Sequence, residues 1–160
     1  LVTFHLSLYP PRKTILNIDF TLFSKIWRRF IVEREQVSTG TVWEDKVGYS
    51  RAIRVGNDIQ VSGTTATDDD GNIVGVDDPY RQTEQCIENI EWALQQLNAG
   101  LEHVIRTRLF VVDIDQFDKI GQAHGDAFGE IRPTTTIVET SGLVDPDMLL
   151  EMEAEAKLLD

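Results

Sequence analysis

The segment MLLEMEAEAKL, residues 148–158, decides the fold because its side chains alternate without interruption between two kinds. Successive side chains of a β-strand point to opposite faces of a sheet, so this pattern predicts a strand with two different faces. One predicted face is apolar and consists of Leu150, Met152, Ala154, Ala156 and Leu158. The other face carries Leu149, Glu151, Glu153, Glu155 and Lys157. This strand therefore separates a core from a charged surface.

The remaining strands are predicted at 49–55, 59–66, 103–114 and 134–140, from alternation and from their Val, Ile and Thr content. Gly56-Asn57 lies between the first two strands and is typical of a tight hairpin turn. We therefore expect these two strands to pair antiparallel.

Two amphipathic helices interrupt the strands. Asp78-Pro79 is typical of a helix start, because the carboxylate caps free N–H groups and proline fits the first turn. Gly100 marks the end of this helix. The second helix is predicted from about Gln116 to Gly129, with His124 on its apolar stripe. The order β-β-α-β-α-β-β predicts an α+β domain with a mixed sheet and both helices on one face.

The second face of this sheet is rich in charge. Arg51, Arg106 and Arg108 are predicted to share it with the three glutamates of the last strand. Carboxylates two residues apart on one strand stand ~7 Å apart and repel each other. We therefore predict that Arg106 or Arg108 forms an ion pair with one of these glutamates. Such a face is either solvated or part of a subunit interface, and the number of titratable groups favours an interface.

Composition limits the classes of function. A formal net charge of -12 argues against nonspecific nucleic-acid binding, which needs a surplus of lysine and arginine. The only cysteine, Cys86, lies in a helical pattern that indicates a buried thiol, and neither a disulfide nor a metal site is expected. No apolar run approaches the ~20 residues of a membrane span. No signal peptide is recognised, so a cytoplasmic protein is expected.

Residues 1–36 differ from the rest of the chain in charge. They carry 6 basic and 3 acidic side chains, whereas residues 37–160 carry 9 basic and 24 acidic ones. The segment is expected to be a poorly ordered extension or a basic amphipathic helix that could lie on a membrane surface. The folded domain is predicted over residues 37–160.

Four segments, in order and spacing, resemble the Rid (YjgF) family of reactive-intermediate deaminases: VGYSRAIRVGNDIQVSGTTA, QTEQCIENIEWALQQLNAG, VIRTRLFVVDIDQF and MLLEMEAEA. The resemblance implies a chorismate-mutase-like (YjgF-like) fold and a homotrimer with clefts between subunits. It implies hydrolysis of 2-imino or enamino acids to 2-keto acids and ammonia, without a metal or organic cofactor. Some members carry an older designation as endoribonucleases.

The resemblance also implies site residues. Tyr49 stands where the family has a cleft tyrosine, Ser62-Gly63 matches a segment whose backbone meets the ligand, and Glu153 matches a glutamate that orients the hydrolytic water. The family's carboxylate-binding arginine lies two places after a proline. Here that proline is Pro133, and Thr135 takes the place of the arginine.

Two other residues are candidates to replace the missing cation. The chain is similar to a branch that carries AHG-x-x-FG-x-IRP, which supplies His124 and Arg132. The alternatives are that His124 is a satisfied core histidine and that Arg132 is a surface residue paired with Glu130 or a nearby carboxylate.

Two functions remain open and a third is disfavoured. The first is hydrolytic deamination of an imine or enamine metabolite with altered substrate specificity. The second is a non-catalytic ligand-binding or regulatory trimer of the same fold. A ribonuclease is disfavoured by the negative charge and by the lack of paired histidines.

Overall fold

The computed structural model describes residues 33–159, so nearly all of the predicted N-terminal extension and its possible helix lie outside the described residues. One compact unit comprises Glu33–Asp160. Its strands are β1 (Arg34–Val37), β2 (Ala52–Val55), β3 (Asp58–Thr64), β4 (Val104–Val111), β5 (Thr134–Glu139) and β6 (Leu150–Lys157). Its helices are α1 (Val42–Val47), α2 (Pro79–Gln95) and α3 (Phe117–Phe128).

The six strands form one mixed sheet in the order β1-β2-β3-β6-β4-β5. Every neighbouring pair is antiparallel except β4 and β5, which are parallel and connected through α3. Val55 pairs with Asp58, so the predicted Gly56-Asn57 turn is confirmed. Gly56 has a φ of 63°, a left-handed conformation that glycine adopts without steric cost.

The core lies between one face of the sheet and the two long helices. The alternation predicted for the last strand is confirmed, because four apolar residues of β6 are buried: Leu150, Met152, Ala154 and Ala156. They share one hydrophobic cluster with buried residues of α2 and α3, as expected for helices on one face. Cys86 is fully buried in this cluster, which confirms the predicted buried thiol. Among residues 33–159, no helix is long and apolar enough to cross a membrane.

Two elements were not predicted. Strand β1 has the sequence REQV, and its first three residues are exposed, so it lacks an apolar pattern. Backbone hydrogen bonds to β2, which most sequences can form, place it in the sheet. Helix α1 has only six residues and ends at Gly48 in a left-handed conformation, with φ 81°. The sheet therefore begins at Arg34, within the range assigned to the extension.

Candidate active site

The charged face of the sheet carries the predicted ion pairs. Arg108 Nε donates to Glu153 Oε2 at 2.8 Å, and Arg108 Nη2 lies 3.5 Å from Glu155 Oε1. Arg106 Nη1 lies 3.9 Å from the same Glu155 oxygen. Solvent screens these partly exposed pairs, so they order the face more than they stabilise the fold. The carboxylate of Glu153 is thus engaged by an arginine.

Ser62 and Gly63, two of the predicted ligand-binding residues, lie at an irregularity of strand β3. The pairing register of β3 with β6 shifts between Val61 and Thr64, which is a bulge of the kind often found beside active sites. Ser62 Oγ donates to Ser50 O at 2.7 Å and anchors the bulge to the chain before β2.

The carboxylate of Glu151 lies directly against Gly63. A Cβ atom at position 63 would stand 1.9 Å from Glu151 Oε1 and 2.7 Å from its Cδ, so only glycine leaves room for this carboxylate. Glu151 and Glu153 belong to the same row of β6, but the β4 neighbour of Glu151 is Phe110, whereas that of Glu153 is Arg108.

Arg51 connects the predicted residues around the bulge. Its Nη1 donates to Gly63 O at 2.6 Å and to Thr64 Oγ1 at 3.0 Å, and its Nη2 donates to Tyr49 Oη at 3.1 Å. The guanidinium also lies over the Tyr49 ring, 5.5 Å from its centroid. Tyr49, Arg51, the bulge and Glu151 therefore form one cluster, although sequence reasoning had assigned Arg51 only to the charged face.

Burial and charge separate the two glutamates. Burial of Glu151 raises its pKa, the neighbouring charge of Glu153 raises it further, and Arg51 lowers it only in part. The net result is a carboxyl group with a raised pKa, which is the change that suits a carboxylate to general acid–base work. Sequence spacing treats Glu151 and Glu153 alike, so only the cross-strand register could have distinguished them.

Thr135 and His124 lie on the opposite, helix-covered side of the sheet. Thr107 is fully buried, and its Oγ1 stands 3.0 Å from both His124 Nε2 and Thr135 Oγ1. The His124 ring also packs on Phe128, with centroids 4.7 Å apart. Within one chain, these two candidates therefore form a hydroxyl–imidazole chain that is separate from the Glu151 cluster.

Arg132 lies in the exposed turn after α3. Its φ is 54°, its backbone N–H donates to Phe128 O at 2.8 Å, and its Nε donates to Gly129 O at 3.2 Å. Among residues 33–159, no carboxylate lies within 4.0 Å of its guanidinium, so the suggested pairing with Glu130 does not form.

Comparison with known proteins places this geometry in a family. The family model described as Endoribonuclease L-PSP matches residues 43–158. The chain belongs to this family. It is also known by the names YjgF and UK114, and the predicted resemblance to the Rid (YjgF) family is confirmed.

Individual relatives agree with the YjgF/UK114 assignment. The crystal structure of Rv2704, a YjgF/YER057c/UK114 family member from Mycobacterium tuberculosis, is 42% identical, with a TM-score of 0.72 over 79% of this chain and 100% of that chain. A RutC family protein of Pyrococcus abyssi is 37% identical over 68% of this chain and 84% of its own length. The 3-aminoacrylate deaminase RutC of Acinetobacter baylyi is 32% identical over 68% of this chain and 85% of its own length.

A pH titration tests the buried position of His124 in this YjgF/UK114 domain. Burial lowers the pKa of His124 below the ordinary 6.5. The unfolded chain therefore binds the extra proton first, and the free energy of unfolding should fall as pH decreases through 6.5 towards the folded-state pKa. His124→Gln should remove this component, so its stability should depend less on pH. Urea unfolding from about pH 5 to 8 measures the difference, and parallel profiles for both proteins would contradict the assignment.

Proposed function

We propose that this protein is a homotrimeric hydrolase that converts an imine or enamine metabolite into a carbonyl compound and ammonia. The observation that carries the proposal is the Glu151 carboxyl group, which has a raised pKa and lies against the bulge at Gly63. The relative named 3-aminoacrylate deaminase supports the reaction class. This assigns the proton-transfer role to Glu151 rather than to Glu153, which is paired with Arg108.

The chemistry requires one water and one proton carrier. An enamine first takes a proton from solvent on its β-carbon and becomes the iminium ion, which is the protonated imine. As the water oxygen bonds to the iminium carbon, the Glu151 carboxylate accepts a water proton, and the C=N electron pair moves to the nitrogen, which becomes an amine. Glu151 then gives this proton to the amine nitrogen, and the C–N bond breaks with its electron pair on the departing ammonia. The hydroxyl oxygen loses its proton to solvent as the C=O bond forms, so one imine and one water are consumed and one carbonyl compound and one ammonia are formed, with the proton taken from solvent returned to it.

Surfaces left open in one chain support the proposed trimer. Strand β5 is an edge strand that is mostly exposed, and the Val138 side chain is 43% exposed. Proteins usually cover such edges, and symmetric assembly is a common solution. A cleft formed with a neighbouring subunit would place the Thr135–His124 side of one chain near the charged face of another.

One assay tests the function. A threonine dehydratase generates 2-iminobutanoate in situ, and we expect this protein to accelerate its decay to 2-oxobutanoate and ammonia. Light scattering should give three times the chain mass of 18.1 kDa, and a monomer would contradict the shared cleft. No acceleration by wild type, with acceleration by Thr135→Arg, would show that only the family's anion site is lost. No acceleration by either protein would favour the non-catalytic ligand-binding trimer.

A further inference from the structure

A cavity of about 280 Å³ lies beside the Glu151 cluster. Its walls come from the loop after β1 (residues 38–41), the end of β3, the loop after β3 (residues 65–71) and helix α2. Arg51 lines this cavity, whereas Tyr49 and Ser62 line a separate recess of about 260 Å³. Arg51 is therefore shared between the proposed catalytic cluster and a second cavity, to which the proposed hydrolysis assigns no role.

Hydrogen bonds hold both loop walls of the cavity in place. The Glu44 carboxylate accepts from Ser38 Oγ, from Thr39 N at 3.0 Å and from Thr39 Oγ1 at 2.7 Å. Burial alone would raise the pKa of Glu44, but these hydrogen bonds and the charge of Arg51 lower it overall. On the other wall, Asn89 Nδ2 donates to Thr65 O at 3.1 Å and to Thr67 O at 2.9 Å. The cavity is thus largely preformed, which reduces the ordering cost of binding.

Arg51 provides the cavity with a cation that forms no direct ion pair among the described residues, although its charge contributes to the lowered pKa of Glu44 and limits the rise in the pKa of Glu151. Its three hydrogen bonds go to neutral oxygens, and within residues 33–159 no carboxylate oxygen lies within 4.0 Å of it. The Nε–H and one Nη2–H have no partner among the described residues. These two donors leave the guanidinium able to donate to the oxygens of a bound carboxylate.

The rest of the lining suits a small organic anion. Trp92 on α2 offers an indole surface at the cavity, with the residue 42% exposed. The hydroxyls of Thr39, Thr65 and Thr67 provide further polar contacts. Two carboxylates, those of Asp68 and Asp69, also line the cavity. Asp68 is engaged by Asn72, whose N–H donates to Asp68 Oδ1 at 2.8 Å, and Asp69 is exposed to solvent.

We infer that this cavity binds a small monocarboxylate with a short apolar chain, the carboxylate lying on Arg51 and the chain on Trp92. The inference deepens the proposed function, because the carboxylate would be that of the substrate. Arg51, rather than Arg132, would then supply the cation that Thr135 lacks. The contacts of Arg132 stay within the turn after α3, whereas Arg51 contacts Gly63, against which Glu151 lies.

Calorimetric titration with 2-oxobutanoate tests the anchor independently of catalysis. Arg51→Gln should raise the Kd about tenfold or more, as expected for loss of a charge-assisted carboxylate contact. The matched variant Arg132→Gln should change the Kd less than about twofold. The reverse result, in which Arg132→Gln loses binding and Arg51→Gln keeps it, would overturn the inference.

A second variant avoids the structural role of Arg51 at the bulge. The Trp92 side chain makes no hydrogen bond to the bulge, so Trp92→Ala should fold normally. It should weaken hexanoate binding severalfold and leave acetate binding nearly unchanged. Equal effects on both acids would place the apolar chain elsewhere and overturn the inference.

If the imine assay is negative while binding still depends on Arg51, the proposed function fails and the binding site stands. If the imine is hydrolysed while Arg51→Gln leaves the Kd of 2-oxobutanoate unchanged, the proposed function stands and the Arg51 binding site is wrong.

Discussion

Glu151→Gln should lower kcat/KM for imine hydrolysis roughly 100-fold or more, the usual contribution of a positioned general base. Glu153→Gln should lower it less than about fivefold, because the Glu153 carboxylate is engaged by Arg108 Nε at 2.8 Å. The two variants differ by the same atoms and lie two residues apart on β6, so each is the matched control for the other. A larger loss of kcat/KM in Glu153→Gln than in Glu151→Gln would support Glu153 as the catalytic carboxylate, which is the prediction from the sequence.

The pH dependence makes this prediction sharper. Glu151 must be ionised to accept a proton from water, so kcat/KM should rise with pH through its folded-state pKa, which lies above the ordinary 4.5. The negative charge of Glu153 contributes to the raised pKa of Glu151. Glu153→Gln should therefore shift the acidic limb of the profile to lower pH, while Glu151→Gln should abolish it. An acidic limb that survives in Glu151→Gln would assign it to another group.

Stability distinguishes lost chemistry from lost folding. A carboxyl group whose pKa is raised by folding stabilises the native state at low pH, and this contribution is lost as pH rises through the folded-state pKa. The ionised Glu151 carboxylate therefore lowers the free energy of unfolding at pH 7. Glu151→Gln should unfold at an equal or higher urea concentration than wild type at pH 7. A marked loss of stability would mean that Glu151 supports the fold.

The parts of the fold that sequence predicts well are those with a repeating pattern. The alternation of β6, the Asp78-Pro79 helix start and the Gly56-Asn57 turn each depend on a few neighbouring residues, and each is present. Strand β1 and helix α1 lack such patterns, because backbone pairing and a buried Glu44 create them. Elements with a local sequence pattern are therefore predictable, whereas β1 and α1 depend on contacts with residues outside the element itself.

The candidate site was less predictable because it depends on register across strands. Thr135 is one of three consecutive threonines, and only its pairing with buried Thr107 shows that its side chain faces His124 rather than the charged face. In the same way, the bulge in β3 brings Gly63, rather than a side chain, to Glu151. Neither relation can be read from spacing along a single strand.

Gly63→Ala is the second substitution with a large expected effect, and it should damage the site more than the fold. The new Cβ would stand 1.9 Å from Glu151 Oε1, so the carboxylate must move away. The φ of Gly63 lies outside the left-handed region, so alanine is compatible with the backbone. We expect kcat/KM to fall by about 10- to 100-fold, since displacing a catalytic group by about 1 Å can cost that much. The free energy of unfolding should change by about 1 kcal/mol or less, as only a flexible side-chain end is displaced.

Two controls determine whether Gly63→Ala acts through Glu151. Gly142→Ala adds the same methyl group where no heavy atom lies within 4 Å, and it should leave kcat/KM and urea unfolding unchanged. The double variant Gly63→Ala/Glu151→Gln should be no less active than Glu151→Gln alone, because a carboxylate that is already lost cannot be displaced again. Additive losses would show that Gly63 contributes by another route, such as the contact of its carbonyl oxygen with Arg51. Non-additive losses would make the glycine and the glutamate one functional unit, with the bulge as the device that brings them together.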